Sequence, residues 1–387
     1  MKVNLIPTLF VKQIIRISFW ICCLIFPVNK DKITFASYRS SKLDGNLLFV
    51  YNEMFTRHPD YTYQFLIKKF NSSFLGKLDY ILHMIKSSYA LATSRYFIID
   101  DFYFPVYLVK LRNGTEVVQL WHAAGAFKKF GLSTMDKTFG TSAEYLKVVN
   151  VHSNYSRVYV SSKNVKPFYA EAFGMSTSNI KNLGVPRTDF FYNNENKELL
   201  LHKFKQLFPR LGDKKLILYA PTFRGKSHYQ DDFISPIDFP LLKELVGKDY
   251  AIIVHLHPYM RMGKSFDIGN DDFSCHVEGE FTVEELMLIA DILITDYSSV
   301  IFDYSLLGRP IGFFANDLEE YTRERDFYYD YQSFIPGPLL TDTRSLADWL
   351  VNKEFDFQKV KEFRDLFFDY QDGRASARIV DDLLKKD

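Results

Sequence analysis

The stretch Asp291–Phe314, DILITDYSSVIFDYSLLGRPIGFF, narrows the fold of this chain more than any other part. An apolar run ending at Thr295 meets the polar turn Asp296-Tyr297-Ser298-Ser299. A helical pattern follows (Val300, Ile301, Tyr304, Leu307), then a Gly-Arg-Pro break and a second apolar run. Short apolar runs on either side of one helix read as a parallel β–α–β unit whose strands are buried on both faces. The serine pair opens the helix, where unpaired backbone N–H groups and the positive dipole end face one point. Such a point suits a phosphate or pyrophosphate. Ser298 alone reads equally well as a helix cap.

The same alternation runs through the chain. Strands are expected at 33–37, 63–67, 96–99, 116–120, 158–161 and 180–183, with helices near 46–57, 76–92 and 164–174. A polar stretch at 187–196 reads as a linker. A second series has strands at 216–220, 251–256, 273–277, 292–295 and 310–314, with helices at 239–246, 282–290 and 299–307. Helical patterns at 343–352, 357–368 and 374–385 close the chain. At 387 residues, two domains are the default. The expected division is a membrane-associating helix over 1–28, an acceptor-side Rossmann-like domain over 29–190 and a donor-binding one over 191–387. Two open α/β domains would place the carboxyl ends of both parallel sheets across a central cleft.

The first 28 residues are largely apolar but interrupted by Lys12, Gln13 and Arg16. The uninterrupted part, Ile17–Val28, falls short of the roughly 20 residues that span a bilayer. No small-x-small cleavage pattern follows, so a signal peptide is not expected. An in-plane helix with its basic residues on anionic headgroups, and Phe19 and Trp20 at the interface, accounts for both features. The charges balance, 48 Lys and Arg against 47 Asp and Glu, which gives a nucleic-acid partner no electrostatic support. Three cysteines, Cys22, Cys23 and Cys275, have no metal-ligand spacing and fit a reducing compartment.

Most of the unusual polar residues follow strands. After 116–120 comes Trp121-His122-Ala123-Ala124-Gly125, where small residues let a substrate approach the imidazole. The unperturbed pKa of histidine lies near neutrality, which makes a cleft-facing His122 a candidate general base. After 216–220 come Thr222 and Arg224, a hydroxyl and a guanidinium fork for phosphate oxygens. After 251–256 comes His257, and after 292–295 come Asp296, Ser298 and Ser299. Ser162, after 158–161, and Gly125 are carried as further substrate contacts. No Asp-x-Asp cluster points to an obligatory metal; Mg²⁺ held only through the donor phosphates stays open.

The strings VVQLWHAAGAFKKFG (117–131), NLGVPRTDFF (182–191), LILYAPTFRG (216–225), VHLHP (254–258) and the opening segment resemble the CDP-glycerol glycerophosphotransferase family of teichoic-acid synthesis. They occur in the family's order, and DLEEYTRERDFYYDYQSFIPGPLL (317–340) resembles its stretch after the phosphate-binding helix. The resemblance implies a GT-B-like fold, monotopic attachment to the cytoplasmic leaflet and no cofactor. It matches His122 and His257 to the family's two functional histidines. It assigns donor contacts to Arg224, Ser298, Ser299 and the Arg325–Asp330 region. The implied reaction moves glycerol phosphate from CDP-glycerol to a hydroxyl of an undecaprenyl-diphosphate-linked acceptor, releasing CMP. Chain length and the Trp-His-Ala-Ala-Gly motif look most like the short primases, which act on a lipid-linked ManNAc-GlcNAc disaccharide. The rival readings are a CDP-ribitol donor, a chain-extending transferase, a GT-B nucleotide-sugar glycosyltransferase and a non-catalytic scaffold.

Overall fold

Strands buried on both faces require continuous apolar runs, and such runs order each half of this molecule. A computed structural model describes all residues except 1–4, 70–72, 136, 138–139, 223–231, 234, 257–259, 263–270 and 386–387. It divides into two compact units, one of Met1–Asp189 with Phe368–Asp387 and one of Phe190–Phe367.

In the first unit, β1 (Asn29–Ser37), β2 (Thr62–Ile67), β3 (Ser94–Ile99), β4 (Glu116–Gln119), β5 (Arg157–Tyr159) and β6 (Ile180–Lys181) form one sheet. Its order is β2-β1-β3-β4-β5-β6, and every neighbouring pair is parallel. Helices α1 (Ile6–Ile25), α2 (Gly45–Arg57), α3 (Phe74–Thr93), α4 (Ala143–Val148) and α5 (Lys166–Phe173) accompany it. The inward residues Ile33, Phe35, Ile98 and Val118 have no exposed surface. Each such side chain contributes about 1.5–3 kcal/mol of burial. The chain leaves β1 for β2 on one side and returns to β3 on the other. The sheet therefore switches direction between β1 and β3, and ligands of open α/β sheets bind at strand C-termini beside such a switch.

The second unit opens with α6 (Asn194–Leu207). Its sheet contains β7 (Lys215–Tyr219), β9 (Tyr250–Val254), β11 (Ser274–His276), β12 (Ile292–Thr295), β13 (Ile311–Phe314) and β14 (Leu339–Leu340). The order is β11-β9-β7-β12-β13-β14, again wholly parallel, so the switch falls between β7 and β12. A separate short pair joins β8 (Asp232–Phe233) to β10 (Arg261–Met262). Around the sheet lie α7 (Phe239–Val246), α8 (Val283–Ile289), α9 (Val300–Ser305), α10 (Leu318–Glu324), α11 (Tyr331–Phe334), α12 (Thr343–Asn352) and α13 (Phe357–Phe367).

All the strands expected from the sequence occur. Two helical features differ from the sequence reading. The polar stretch read as a linker is largely a short 3-10 segment and the start of α6, where Asn193 caps the helix by accepting the N–H of Glu195. The closing helix α14 (Ala375–Leu384), expected within 191–387, packs into the first unit. Asp189 accepts the N–H groups of Ala375 and Ser376 at 2.8 Å each, satisfying the start of α14. Arg57 on α2 pairs with Asp381 at 2.5 Å.

Candidate functional site

The first unit gathers its chemistry beyond the ends of β1, β3 and β4, beside the switch. Trp121, two residues past β4, has φ 52°, a left-handed conformation that aromatic residues rarely adopt. Holding it costs about 1–3 kcal/mol, which the surroundings must supply. The supports are two almost wholly buried carboxamides, Gln119 and Asn46. Gln119 Oε1 accepts the Trp121 N–H at 2.8 Å, and Asn46 Nδ2 donates to the Trp121 carbonyl at 2.7 Å. The other ends of both amides are also used. Gln119 Nε2 donates to the Asp101 carbonyl at 3.0 Å, and Asn46 Oδ1 accepts the Arg187 N–H at 2.9 Å. Arg187 Nη1 then donates to the His122 carbonyl at 2.7 Å.

This bracket fixes the imidazole of His122. Its ring stacks on Trp121 with centroids 4.5 Å apart, and Nδ1 lies 3.4 Å from Asp101 Oδ2. Arg39, after β1, reaches the same Asp101 oxygen at 3.4 Å. Burial lowers the His122 pKa to about 4; the Asp101 carboxylate opposes that shift, and the guanidinium groups of Arg39 and Arg187 add to it. The ring is hemmed in by protein, yet 35% of its side-chain surface stays open. Nδ1 itself is inaccessible, so the open surface belongs to the rest of the side chain. At pH 7 the imidazole is neutral and able to take a proton. Beside it, burial pushes the Asp100 carboxyl up to about 7.

Gly125 and Ser162, expected as substrate contacts, also make local hydrogen bonds. The Gly125 carbonyl accepts the Tyr169 hydroxyl at 3.3 Å. Ser162 Oγ accepts the Asn164 N–H at 3.2 Å and caps a short turn.

In the second unit, Thr222 follows β7 and Asp296 follows β12, on the two sides of the switch. Asp296 is 3% exposed, and its Oδ1 accepts the N–H groups of Thr222 at 2.8 Å and Tyr297 at 2.6 Å. The Asp296 carbonyl accepts the Tyr331 hydroxyl at 3.0 Å. This carboxylate staples two turns together, a supporting role that the sequence did not suggest. Tyr297 stacks on Tyr321 at 3.8 Å and donates to Asp317 at 2.8 Å, which stiffens the base of the turn. Ser298 Oγ accepts the Val300 N–H at 3.4 Å, a long cap contact, and Ser299 makes no cap hydrogen bond. Both serines are half-buried. The helix they open, α9, has six residues, so its dipole is short.

Arg325 ends α10 with its guanidinium 5.9 Å from the Tyr321 ring centre. Asp330 is an exposed N-cap of α11, accepting the Ser333 N–H at 3.0 Å. His257 and Arg224 lie outside the described residues. Among the described residues, no group of three or more His, Cys, Asp or Glu side chains is placed to hold a metal ion.

Asp101, Arg39, Arg187, Gln119 and Asn46 were not singled out from sequence. Asp101 and Arg39 stand just past strands, the same signal that marked His122. Arg187 lies in the string NLGVPRTDFF.

Two doubly wound parallel sheets, each with polar residues beyond its strand ends, give the molecule a GT-B-like build. The family model described as CDP-glycerol:poly(glycerophosphate) glycerophosphotransferase matches residues 18–385, and the chain belongs to that family. It is 44% identical to a teichoic acid ribitol-phosphate primase of Bacillus spizizenii, over 97% of this chain and 96% of that one. It is 32% identical to a teichoic acid glycerol-phosphate primase of Bacillus subtilis, over 77% and 76%. Among solved structures, the wall teichoic acid polymerase TagF superposes with a TM-score of 0.76 at 25% identity, covering 98% of each chain. The chain is thus an enzyme of the glycerol- and ribitol-phosphate transferases of teichoic acid synthesis.

Proposed function

We propose that this enzyme is a primase that moves one alditol phosphate from a CDP-alditol to a hydroxyl of a lipid-linked acceptor, with release of CMP. The observation that carries the reading is His122, held neutral and part-open with Asp101 behind it. The acceptor oxygen attacks the phosphorus that bears the alditol, and its proton passes to the imidazole. The bond from that phosphorus to the CMP oxygen breaks, and its electron pair leaves with CMP. Positioning and charge neutralisation carry most of such a transfer. Burial, with a smaller contribution from Arg39 and Arg187, keeps His122 unprotonated. On the donor side, Ser299 and the first N–H groups of α9 bind the pyrophosphate. Arg224 and His257 are given the same task on the sequence resemblance alone.

Full-length similarity to a ribitol-phosphate primase favours ribitol phosphate as the unit transferred. Glycerol phosphate from CDP-glycerol, the expectation from sequence, is the alternative, supported by the family description and the glycerol-phosphate primase. The acceptor is a ManNAc-GlcNAc disaccharide on diphosphoundecaprenol at the cytoplasmic leaflet. Competition between CDP-ribitol and CDP-glycerol on that acceptor, read by product mass, tests the reading. A single added ribitol phosphate is expected; a long chain, or a sugar taken from a nucleotide-sugar, overturns it.

Two variants probe the parts. Asp101→Asn is expected to lower kcat roughly ten- to a hundredfold, as for a group that orients a base. Asp101 raises the His122 pKa, so its loss moves the acid limb of the pH–rate profile to lower pH. An unmoved limb removes Asp101 from the account. Replacing Ser298 and Ser299 together by Ala is expected to weaken donor binding about tenfold, by the loss of charge-assisted contacts. Calorimetric titration with the CDP-alditol measures it, and an unaltered affinity reduces both serines to scaffold.

A further inference from the structure

The loop 149–156, between α4 and β5, holds two residues in left-handed backbone, His152 at φ 64° and Asn154 at φ 69°. Outside glycine that region is uncommon and strained, so the surroundings must hold it. Asn154 Nδ2 secures the loop by donating to the carbonyls of Val106 and Val109 at 2.7 Å each. The loop thereby places the buried His152 ring edge-on to the Trp121 indole, with centroids 6.0 Å apart, and against Phe173 at 4.8 Å.

The polar atoms around His152 form a chain with one direction. Main-chain partners fix the sense of the Gln119 carboxamide: its oxygen faces the Trp121 N–H and its nitrogen the Asp101 carbonyl. The second Nε2 hydrogen, buried with the rest of that side chain, needs an acceptor of its own. The Tyr155 oxygen supplies it: burial raises the Tyr155 pKa, and side-chain hydrogen bonds from Tyr107 and Gln119 oppose the rise. Tyr107 Oη meets Tyr155 Oη at 2.5 Å and itself accepts the Tyr103 N–H at 3.3 Å. With its oxygen receiving Tyr107 and Gln119, Tyr155 gives its proton to His152 Nδ1, 3.0 Å away. That nitrogen accepts only in the neutral ring, and burial lowers the His152 pKa to about 4, against the opposing Asp101 carboxylate. Donors and acceptors then match from His152 Nδ1 to the Trp121 turn.

We propose that His152 and Tyr155 are positioning residues: they fix the Gln119 carboxamide, which holds the Trp121 turn and so keeps the His122 imidazole beside Asp101. Removing the Tyr155 oxygen orphans a buried N–H of Gln119. The carboxamide turns toward another partner, and the Trp121 N–H loses its acceptor. His122, faced by Asp101, Arg39 and Arg187, then leaves its buried place. The consequence for turnover rests on the role given above to His122, while the placing of the ring does not.

The test is the titration of His122 in the full chain, followed by ¹⁵N-imidazole NMR and assigned by the signal lost in His122→Gln. In Tyr155→Phe the His122 midpoint is expected to rise by about one pH unit or more, because burial is the main cause of its lowering. Asp101→Asn moves it the opposite way. In Tyr155→Phe kcat is expected to fall about ten- to a hundredfold with donor affinity unchanged, the effect of a displaced catalytic group. His152→Ala is expected to show the same shift. His152→Asn offers an acceptor oxygen near the place of Nδ1 and tolerates left-handed backbone, so it should reverse most of that shift. Should Tyr155→Phe not fold, the two His152 variants decide. The control Tyr103→Phe removes a comparably buried hydroxyl, bonded to Ser87 at 2.7 Å and His83 at 3.1 Å, and should leave the His122 midpoint in place. An unmoved midpoint in folded Tyr155→Phe and His152→Ala, or an equal rise in Tyr103→Phe, overturns the proposal. A raised midpoint with wild-type turnover supports the positioning and overturns the role of His122 as base.

Discussion

His122→Ala is expected to lower turnover by about 10²–10⁴-fold, the range for loss of a positioned general base. The donor-binding elements assigned here all lie in the second unit, so affinity for the CDP-alditol should change little. The loss should therefore fall on kcat. The side chain is part-exposed and its backbone is held by Arg187, so the melting temperature should stay close to that of the wild type. His122→Gln, which keeps a polar planar group without a titrating nitrogen, should be equally inactive. Steady-state kinetics and calorimetric titration separate the two effects. Turnover within a few-fold of wild type would remove His122 as the base, and a lost donor affinity would reassign it to donor binding.

The second large effect concerns the scaffold. Asp296→Ala is expected to destabilise the second unit by about 2–4 kcal/mol, because the buried N–H groups of Thr222 and Tyr297 lose their acceptor. The turn carrying Ser298 and Ser299 loses its tie to the loop after β7 at the same time, so donor affinity should fall with stability. Asp296→Asn keeps an Oδ1 in place and should recover most of both. Urea unfolding with equal m-values for the three proteins gives the comparison. An Asp296→Ala midpoint equal to that of wild type would show that the staple contributes nothing.

The architecture could be read from the sequence because parallel strands buried on both faces leave continuous apolar runs. Ala251–Val254 and Ile292–Thr295 are such runs, and both are strands. α6 was harder to see, since Asn193, Asn194 and Asn196 look like a loop until Asn193 is recognised as a cap. The place of α14 was invisible for a different reason. Its partners Asp189 and Arg57 are far away in sequence, and no local pattern encodes that pairing.

The site shows the same division. His122 stood out because ligands of open α/β sheets bind outside the strand C-termini, and it follows one. Asp101 obeys that rule too, and applying it to the strand at 96–99 would have found it. Gln119 and Asn46 give no such signal. Their importance comes from the left-handed backbone at Trp121, and Asn46 lies 75 positions away from the carbonyl it holds. Asp296 was seen as a ligand contact but spends an oxygen on two backbone N–H groups, a distinction that needs coordinates.

The central claim is that the phosphorus bearing the alditol, with the alditol attached, passes to the acceptor hydroxyl. CDP-ribitol and CDP-glycerol labelled with ³²P separately at each phosphate test it directly, with the lipid product and released nucleotide counted after one turnover. Label at the alditol-bearing phosphate should appear in the lipid and be absent from CMP, while label at the cytidine-bearing phosphate should stay wholly in CMP. Cytidine-side label in the lipid, or no label there from either position, would contradict the account.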